Sequence, residues 1–207
     1  MLPSNIQKSL DQINEGLKNV EERREILIKG SRDVVMFCSK SIIALHRNEI
    51  EEAQNKMNQA KIMLDESRQY AKTDLNRYII VAEQELVEAY ALKSVVQDSP
   101  LPDVNELNVS GSSYITGLLD CIGEIKRMVY DRMRLGRAED AARLFATMQD
   151  IYGAVYPFAV YDNLVSGIRR KLDVAKMLIE DIRAVVTEET RRSIMIKAID
   201  SLERKLQ

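Results

Sequence analysis

Residues 161–182 read YDNLVSGIRRKLDVAKMLIEDI, with apolar side chains at Tyr161, Val165, Ile168, Leu172, Ala175, Ile179 and Ile182. The intervals alternate between four and three, the a/d repeat of a helix packed lengthwise on another helix. Met195, Ile199, Leu202 and Leu206 continue that spacing further on. Toward the start of the chain, Ile50, Ala53, Met57, Ala60 and Leu64 form one stripe, and Leu75, Tyr78, Ile79, Ala82, Leu86 and Ala89 form another. Ile6, Leu10, Ile13, Leu17, Val20 and Leu27 form an earlier one, continued by Val35, Cys38, Ile42 and Leu45. Gly30 lies between these two runs, and a glycine inside a helix costs only about 1 kcal/mol. The pattern predicts one long N-terminal helix running through Gly30 toward His46, in an all-α fold of about seven helices. No strand-like alternation of useful length occurs. Composition agrees: the 207 residues include 8 Gly, 4 Pro, 3 Phe and no Trp, with 45% hydrophobic and 30% charged residues. So few turn-formers and aromatics argue against sandwiches and barrels.

The breaks between stripes are also legible. Ser4 and Gln7 fit a capping box at the start of the first helix. The stretch Asp98-Ser-Pro-Leu-Pro-Asp103 cannot continue a helix. Ser110-Gly-Ser-Ser113 offers capping hydroxyls to the next one, which is predicted to end at Gly136. A shorter helix is expected over 138–152, and Gly153 and Pro157 bound the break before the last series. No linker or fixed-period repeat divides the chain, so 1–207 reads as a single helical domain.

Several function classes fall away. Two cysteines, Cys38 and Cys121, are too few for a disulfide framework and read as reduced core thiols. The first residues, Met1-Leu-Pro-Ser-Asn-Ile, carry no basic stretch followed by an apolar run, so no secretory signal and a cytoplasmic location are expected. No apolar run reaches the roughly 20 residues of a membrane span. His46 is the sole histidine. It ends a helix and reads as a capping or surface residue, which argues against Ser/His/Asp or Cys/His catalysis. No Glu-x-x-His pair suggests a di-iron bundle, and no glycine-rich phosphate loop precedes a helix.

The residues that point to chemistry are acidic. In Gln84-Glu-Leu-Val-Glu-Ala89, Glu85 and Glu88 share one helix face. In Tyr114-Ile-Thr-Gly-Leu-Leu-Asp-Cys-Ile-Gly-Glu-Ile-Lys-Arg-Met128, Asp120 and Glu124 stand one turn apart. If the two faces meet, four carboxylates converge and raise one another's pKa unless a cation joins them. Mg²⁺ or Mn²⁺ suits such oxygen donors, and metal-assisted phosphoryl chemistry needs no histidine. The ordinary alternative is a solvated face, with Glu124 paired to Arg127. Asp120 and Glu124 sit among Leu118, Leu119, Ile122 and Ile125, which favours partial burial. The net charge of −2 gives no general affinity for nucleic acid. Basic residues do gather locally at Arg23-Arg24, Arg169-Arg-Lys171, Arg191-Arg192, and around Arg127, Arg132, Arg134 and Arg137. Helix solubility explains such clusters in general. The alternative is a phosphate-contacting surface beside the acids, where Tyr130 and Tyr152 would stack on bases rather than serve as packing residues.

Three segments taken in order resemble the translin and translin-associated factor X family. They are Ser31-Arg-Asp-Val-Val-Met-Phe-Cys-Ser-Lys-Ser-Ile-Ile-Ala-Leu-His-Arg47, Gln84–Ala89 and Tyr114–Met128. The resemblance extends over most of the chain. It implies a translin-type helical protomer and an octamer-like hollow shell holding nucleic acid. Translin proper binds single-stranded RNA and DNA, whereas the factor X branch is a Mg²⁺-dependent endoribonuclease. Glu85, Glu88, Asp120 and Glu124 match the acidic positions of that branch. The short N-terminal region resembles prokaryotic or archaeal members, which leaves open whether a separate translin subunit takes part. The resulting expectation is an endoribonuclease acting on single-stranded or structured RNA. Glu85, Glu88 and Asp120 would be catalytic, all four acids would hold Mg²⁺ or Mn²⁺, and Arg127, Arg132, Arg134 and Arg137 would bind nucleic acid. A homo-oligomer, with eight subunits favoured, and no membrane partner complete it. Its rivals are a non-catalytic single-stranded DNA/RNA-binding protein of the translin type and a purely structural helical protein.

Overall fold

A computed structural model describes residues 4–206, with side chains described for 5–205. Among the described residues seven α-helices follow one another: α1 Ser4–His46, α2 Ile50–Ala71, α3 Ile80–Gln97, α4 Val104–Leu107, α5 Gly111–Arg134, α6 Ala138–Val155 and α7 Ile168–Leu206. Short 3₁₀ turns at Asn76–Tyr78 and Tyr156–Tyr161 lead into α3 and α7. No strand occurs among the described residues. The expected all-α fold with a long first helix is therefore present, and the capping side chain of Ser4 lies outside the described residues.

α1 spans 43 residues, about 65 Å at 1.5 Å per residue. Gly30 lies within it, where α2 crosses. A Cβ there would lie 2.7 Å from Ser67 Oγ, and the Ser67 hydroxyl would have to turn away to admit it. The buried stripe of α1 includes Leu27, Val34, Cys38, Ile42 and Leu45. Val34, not the expected Val35, takes the core position. α1 packs on α2 and α3, α3 packs on α5, and α5 packs on α6 and α7. The α3–α5 seam thus joins the two halves of the bundle, and both acidic pairs lie along it.

The breaks behave as their residues dictate. α3 ends at Gln97, with Asp98 in the left-handed region (φ 51°). Asp103 and Glu106 form a reciprocal capping box on the single turn of α4, an element the prolines of this loop had hidden from the sequence. Ser110 Oγ caps α5 by accepting from the Ser113 N–H. Gly136 supplies a positive φ of 70° just beyond the end of α5. In the last helix Ile168, Leu172, Ala175, Ile179 and Ile182 are buried as their spacing required. Tyr161 instead lies in the preceding 3₁₀ turn.

The two long helices run past the core. Ile6, Leu10, Ile13 and Leu17 of α1 are exposed, as are Ile194, Met195, Ile196, Ile199 and Leu202 of α7. The side chain of Leu206 lies outside the described residues. No described helix is long and apolar enough to cross a membrane.

Candidate active site

The seam is unusually tight at Gly117. A Cβ on that residue would stand 2.6 Å from the Gln84 carbonyl oxygen and 2.7 Å from Val87 Cβ. Only a missing side chain lets α5 lie so close to α3, and the contact is with the residues flanking Glu85 and Glu88. A second tie fixes the register. Glu83 of α3 is buried, and its carboxylate accepts from the Ser110 N–H (3.1 Å), Ser110 Oγ (2.8 Å) and Arg68 Nη2 (3.3 Å). A helix start, a buried carboxylate and an α2 arginine thereby lock α5 against α3. A cavity of about 540 Å³ opens beside this joint between Arg68, Lys72, Asn76, Glu83 and Ser110. It is separate from the acidic residues described next.

With the helices so held, Glu85, Glu88, Asp120 and Glu124 lie close enough to act on one another's charge. Burial, reinforced by Glu85, Asp120 and Glu124, raises the Glu88 pKa to about 8. Glu85 is raised too, first by burial and then by Asp120, with Lys171 opposing the shift. Neither Glu85 nor Glu88 has a hydrogen-bond or ion-pair partner among the described residues. The thiols beneath them respond to the same field. Burial, with Glu85 and Glu88 nearby, pushes Cys38 well up. Burial and the adjacent carboxylates do the same to Cys121.

The other two acids are partnered. Lys171 Nζ donates to both Asp120 carboxylate oxygens at 2.5 Å. His46 Nε2 donates to Glu124 Oε2 at 2.5 Å, and Arg127 Nη1 lies 3.6 Å from the same oxygen. The hydrogen bond from His46 holds the Glu124 carboxyl below its usual range. The His46 side chain is only 8% exposed, and its Nδ1 is buried without a partner among the described residues. The surface or capping reading of His46 is therefore corrected: the C-terminal end of α1 delivers it into the acidic site. Nothing in its local sequence distinguishes it, because its neighbour lies 78 residues away. Lys171 comes from the basic run Arg169-Arg-Lys171, which spacing alone could not orient.

A cavity of about 390 Å³ opens on the site between α3, α5 and α7. Glu88 and Asp120 line it together with Arg170 and Lys171. Arg170 is exposed and has no ion-pair partner among the described residues. Of the expected nucleic-acid contacts, Arg127 pairs with Glu124 and Arg134 with Asp131. Arg132 and Arg137, near the end of α5, have no such partner among the described residues. Tyr152 packs on Tyr156. Tyr130 is exposed, with Lys126 over its ring.

The donor set suits a hard divalent cation, since four carboxylates supply oxygen and two of them are unpartnered among the described residues. The coordination shell is not preassembled: among the described residues, no three Asp, Glu, His or Cys side chains are grouped to hold a metal. Lys171 and His46 engage the oxygens of Asp120 and Glu124 instead.

The translin family model matches residues 72–188. An uncharacterized protein of Methanocaldococcus jannaschii is 29% identical over 178 residues, which cover 83% of this chain and 80% of the relative. The solved structure of AfC3PO with duplex RNA superposes with a TM-score of 0.81 at 28% identity, covering 89% of this chain and 97% of that one. A crystal structure of AfC3PO gives the same TM-score and identity, covering 89% of this chain and 98% of that chain. Apo-NeC3PO, 21% identical with a TM-score of 0.78, covers 91% of this chain and 98% of its own and shares the fold.

Proposed function

The chain belongs to the translin family, and from that premise we propose that it is a Mg²⁺- or Mn²⁺-dependent endoribonuclease acting on single-stranded or structured RNA. The observation that carries this reading is the convergence of Glu85, Glu88, Asp120 and Glu124 on one seam. Two of these carboxylates lack a partner among the described residues, and Glu88 is raised to about 8. Such an arrangement costs free energy unless a cation or a proton relieves it. The similarity to AfC3PO, solved with duplex RNA, supports RNA as the ligand and keeps paired segments within the substrate class.

Glu85, Glu88, Asp120 and Glu124 would hold the cation. Bound there, it would supply positive charge that makes water a better nucleophile and stabilises a phosphoryl group under attack. The rest falls to the protein. Glu85, Glu88 and Asp120 would orient water through their carboxylate oxygens. Arg170 lines the same cavity and attracts the phosphodiester to the acids, which alone would repel it, while Lys171 is held by Asp120. Arg127, Arg132, Arg134 and Arg137 extend the basic surface along α5 toward flanking phosphates. The apolar free ends of α1 and α7 support a homo-oligomer, with eight subunits expected, because such stripes mark an interface when left uncovered.

One observation favours a second reading, a non-catalytic binder of single-stranded RNA or DNA. Lys171 and His46 already neutralise Asp120 and Glu124, so part of the cluster is satisfied without a metal. Incubation of a labelled RNA with the purified protein, with Mg²⁺ or with a chelator, separates the two. Internal cleavage that requires Mg²⁺ supports the nuclease. Binding without cleavage under both conditions supports the binder.

A further inference from the structure

We propose that Lys171 is a positioning residue whose ammonium occupies the cation place at Asp120 in the metal-free protein and must leave it when a divalent cation enters. This rests on the metal reading above. Lys171 Nζ engages both carboxylate oxygens of Asp120, the oxygens a metal ion would use. Its placement is built in at the start of α7. Gly167 adopts a positive φ of 78°, and Asp162 Oδ1 accepts from the Arg169 N–H at 3.3 Å. Arg169 Nε in turn donates to the Ala159 carbonyl. These contacts orient the first turn of the helix and with it residue 171.

The charge of Lys171 reaches beyond Asp120. It opposes the upward shifts of both Glu85 and Glu88, so one ammonium serves three of the four acids. His46 and Arg127 serve the fourth. An ammonium and a divalent cation repel, and at Asp120 they compete for the same two oxygens. The lysine stem is flexible, its side chain is 23% exposed, and the adjoining cavity gives it room to swing away from Asp120. There it faces the space a substrate phosphate would enter, beside Arg170. Lys171 therefore weakens cation binding in the free protein, and its displacement puts a positive charge where the phosphodiester arrives.

The test is calorimetric titration of Mn²⁺ into the full-length, RNA-free protein as wild type, Lys171→Met, Lys171→Arg and Lys126→Met. Lys126 pairs with Asp181 elsewhere and controls for loss of one charge. Lys171→Met should bind Mn²⁺ about five-fold more tightly, the size one partly exposed ion pair supports. Lys171→Arg keeps the charge and should stay near wild type, as should Lys126→Met. Thermal melts establish that each variant is folded, and Lys171→Gln replaces the methionine variant if that one is not. Unchanged or weaker Mn²⁺ affinity in the neutral Lys171 variant, with the wild type binding, overturns this proposal and leaves the metal reading intact. Absence of Mn²⁺ binding to the wild type overturns the metal reading and this proposal with it.

Discussion

Replacing Glu88 with Gln should change how stability depends on pH. The ordinary glutamate value is 4.5, and in the fold Glu88 is raised to about 8. Below pH 4.5 the carboxyl is protonated in both folded and unfolded chains. Between the two values the unfolded chain loses this proton and the folded chain keeps it. Stability therefore falls as pH rises through this window and levels off above about 8. At 1.36 kcal/mol per pH unit the ceiling is about 5 kcal/mol. The open cavity beside Glu88 admits water, which screens the repulsion and leaves on the order of 2–3 kcal/mol. Glu88→Gln retains the shape and has no proton to lose. Its melting midpoint, compared with wild type in chelator, should gain on the order of 5–10 °C between pH 5 and pH 8. Glu85 is raised by burial too and shares the repulsion with Glu88, so the difference reports Glu88 together with its coupling to Glu85. A constant difference between the two melting curves across that range would refute the reasoning, because it would mean that Glu88 titrates normally.

Gly117→Ala places a methyl 2.6 Å from the Gln84 carbonyl; it should cost about 1–3 kcal/mol in urea unfolding and also weaken Mn²⁺ binding by spreading the acidic pairs. Glu83→Ala leaves the Ser110 N–H without its acceptor and Arg68 with Asp65 as its remaining partner, and should destabilise by about 1–3 kcal/mol, whereas Glu83→Gln should cost less because it still accepts at one oxygen. The double variant Arg132→Gln/Arg137→Gln should weaken RNA binding and reduce the slope of log affinity against log salt by roughly 0.7–0.9 for each phosphate that the protein no longer neutralises; an unchanged slope in a filter-binding series places the RNA elsewhere.

Much of the fold is written in local signals. The stripe from Ile168 to Ile182 yields a helix buried on the expected face, while Tyr161 lies in the 3₁₀ turn before it, and the loop at Pro100 and Pro102 ends α3. Gly30, in contrast, is a weak local signal, because its purpose lies in a neighbour. The sequence shows a tolerated glycine, while the structure sets it against the Ser67 hydroxyl of α2. The acidic residues were legible because their i, i+3 and i, i+4 spacings are local properties of single helices. The cations that complete the site were not. His46 and Lys171 come from α1 and α7, remote in sequence from α3 and α5, and their roles depend on helix packing that no spacing rule encodes. Gly117 lies inside one of the motif segments, yet its importance appears only once Val87 is seen against it.

The most direct test of the central claim compares wild type with Asp120→Ala on one labelled RNA, each with Mg²⁺ and with a chelator. Asp120 links the acids to Lys171 and faces the cavity. Its loss should remove cleavage, while RNA binding stays equal or tightens because a negative charge leaves the phosphate path. The account predicts internal cleavage only in wild type with Mg²⁺. Cleavage that persists in Asp120→Ala, or in wild type under chelation, would contradict the assignment of this seam as the active site.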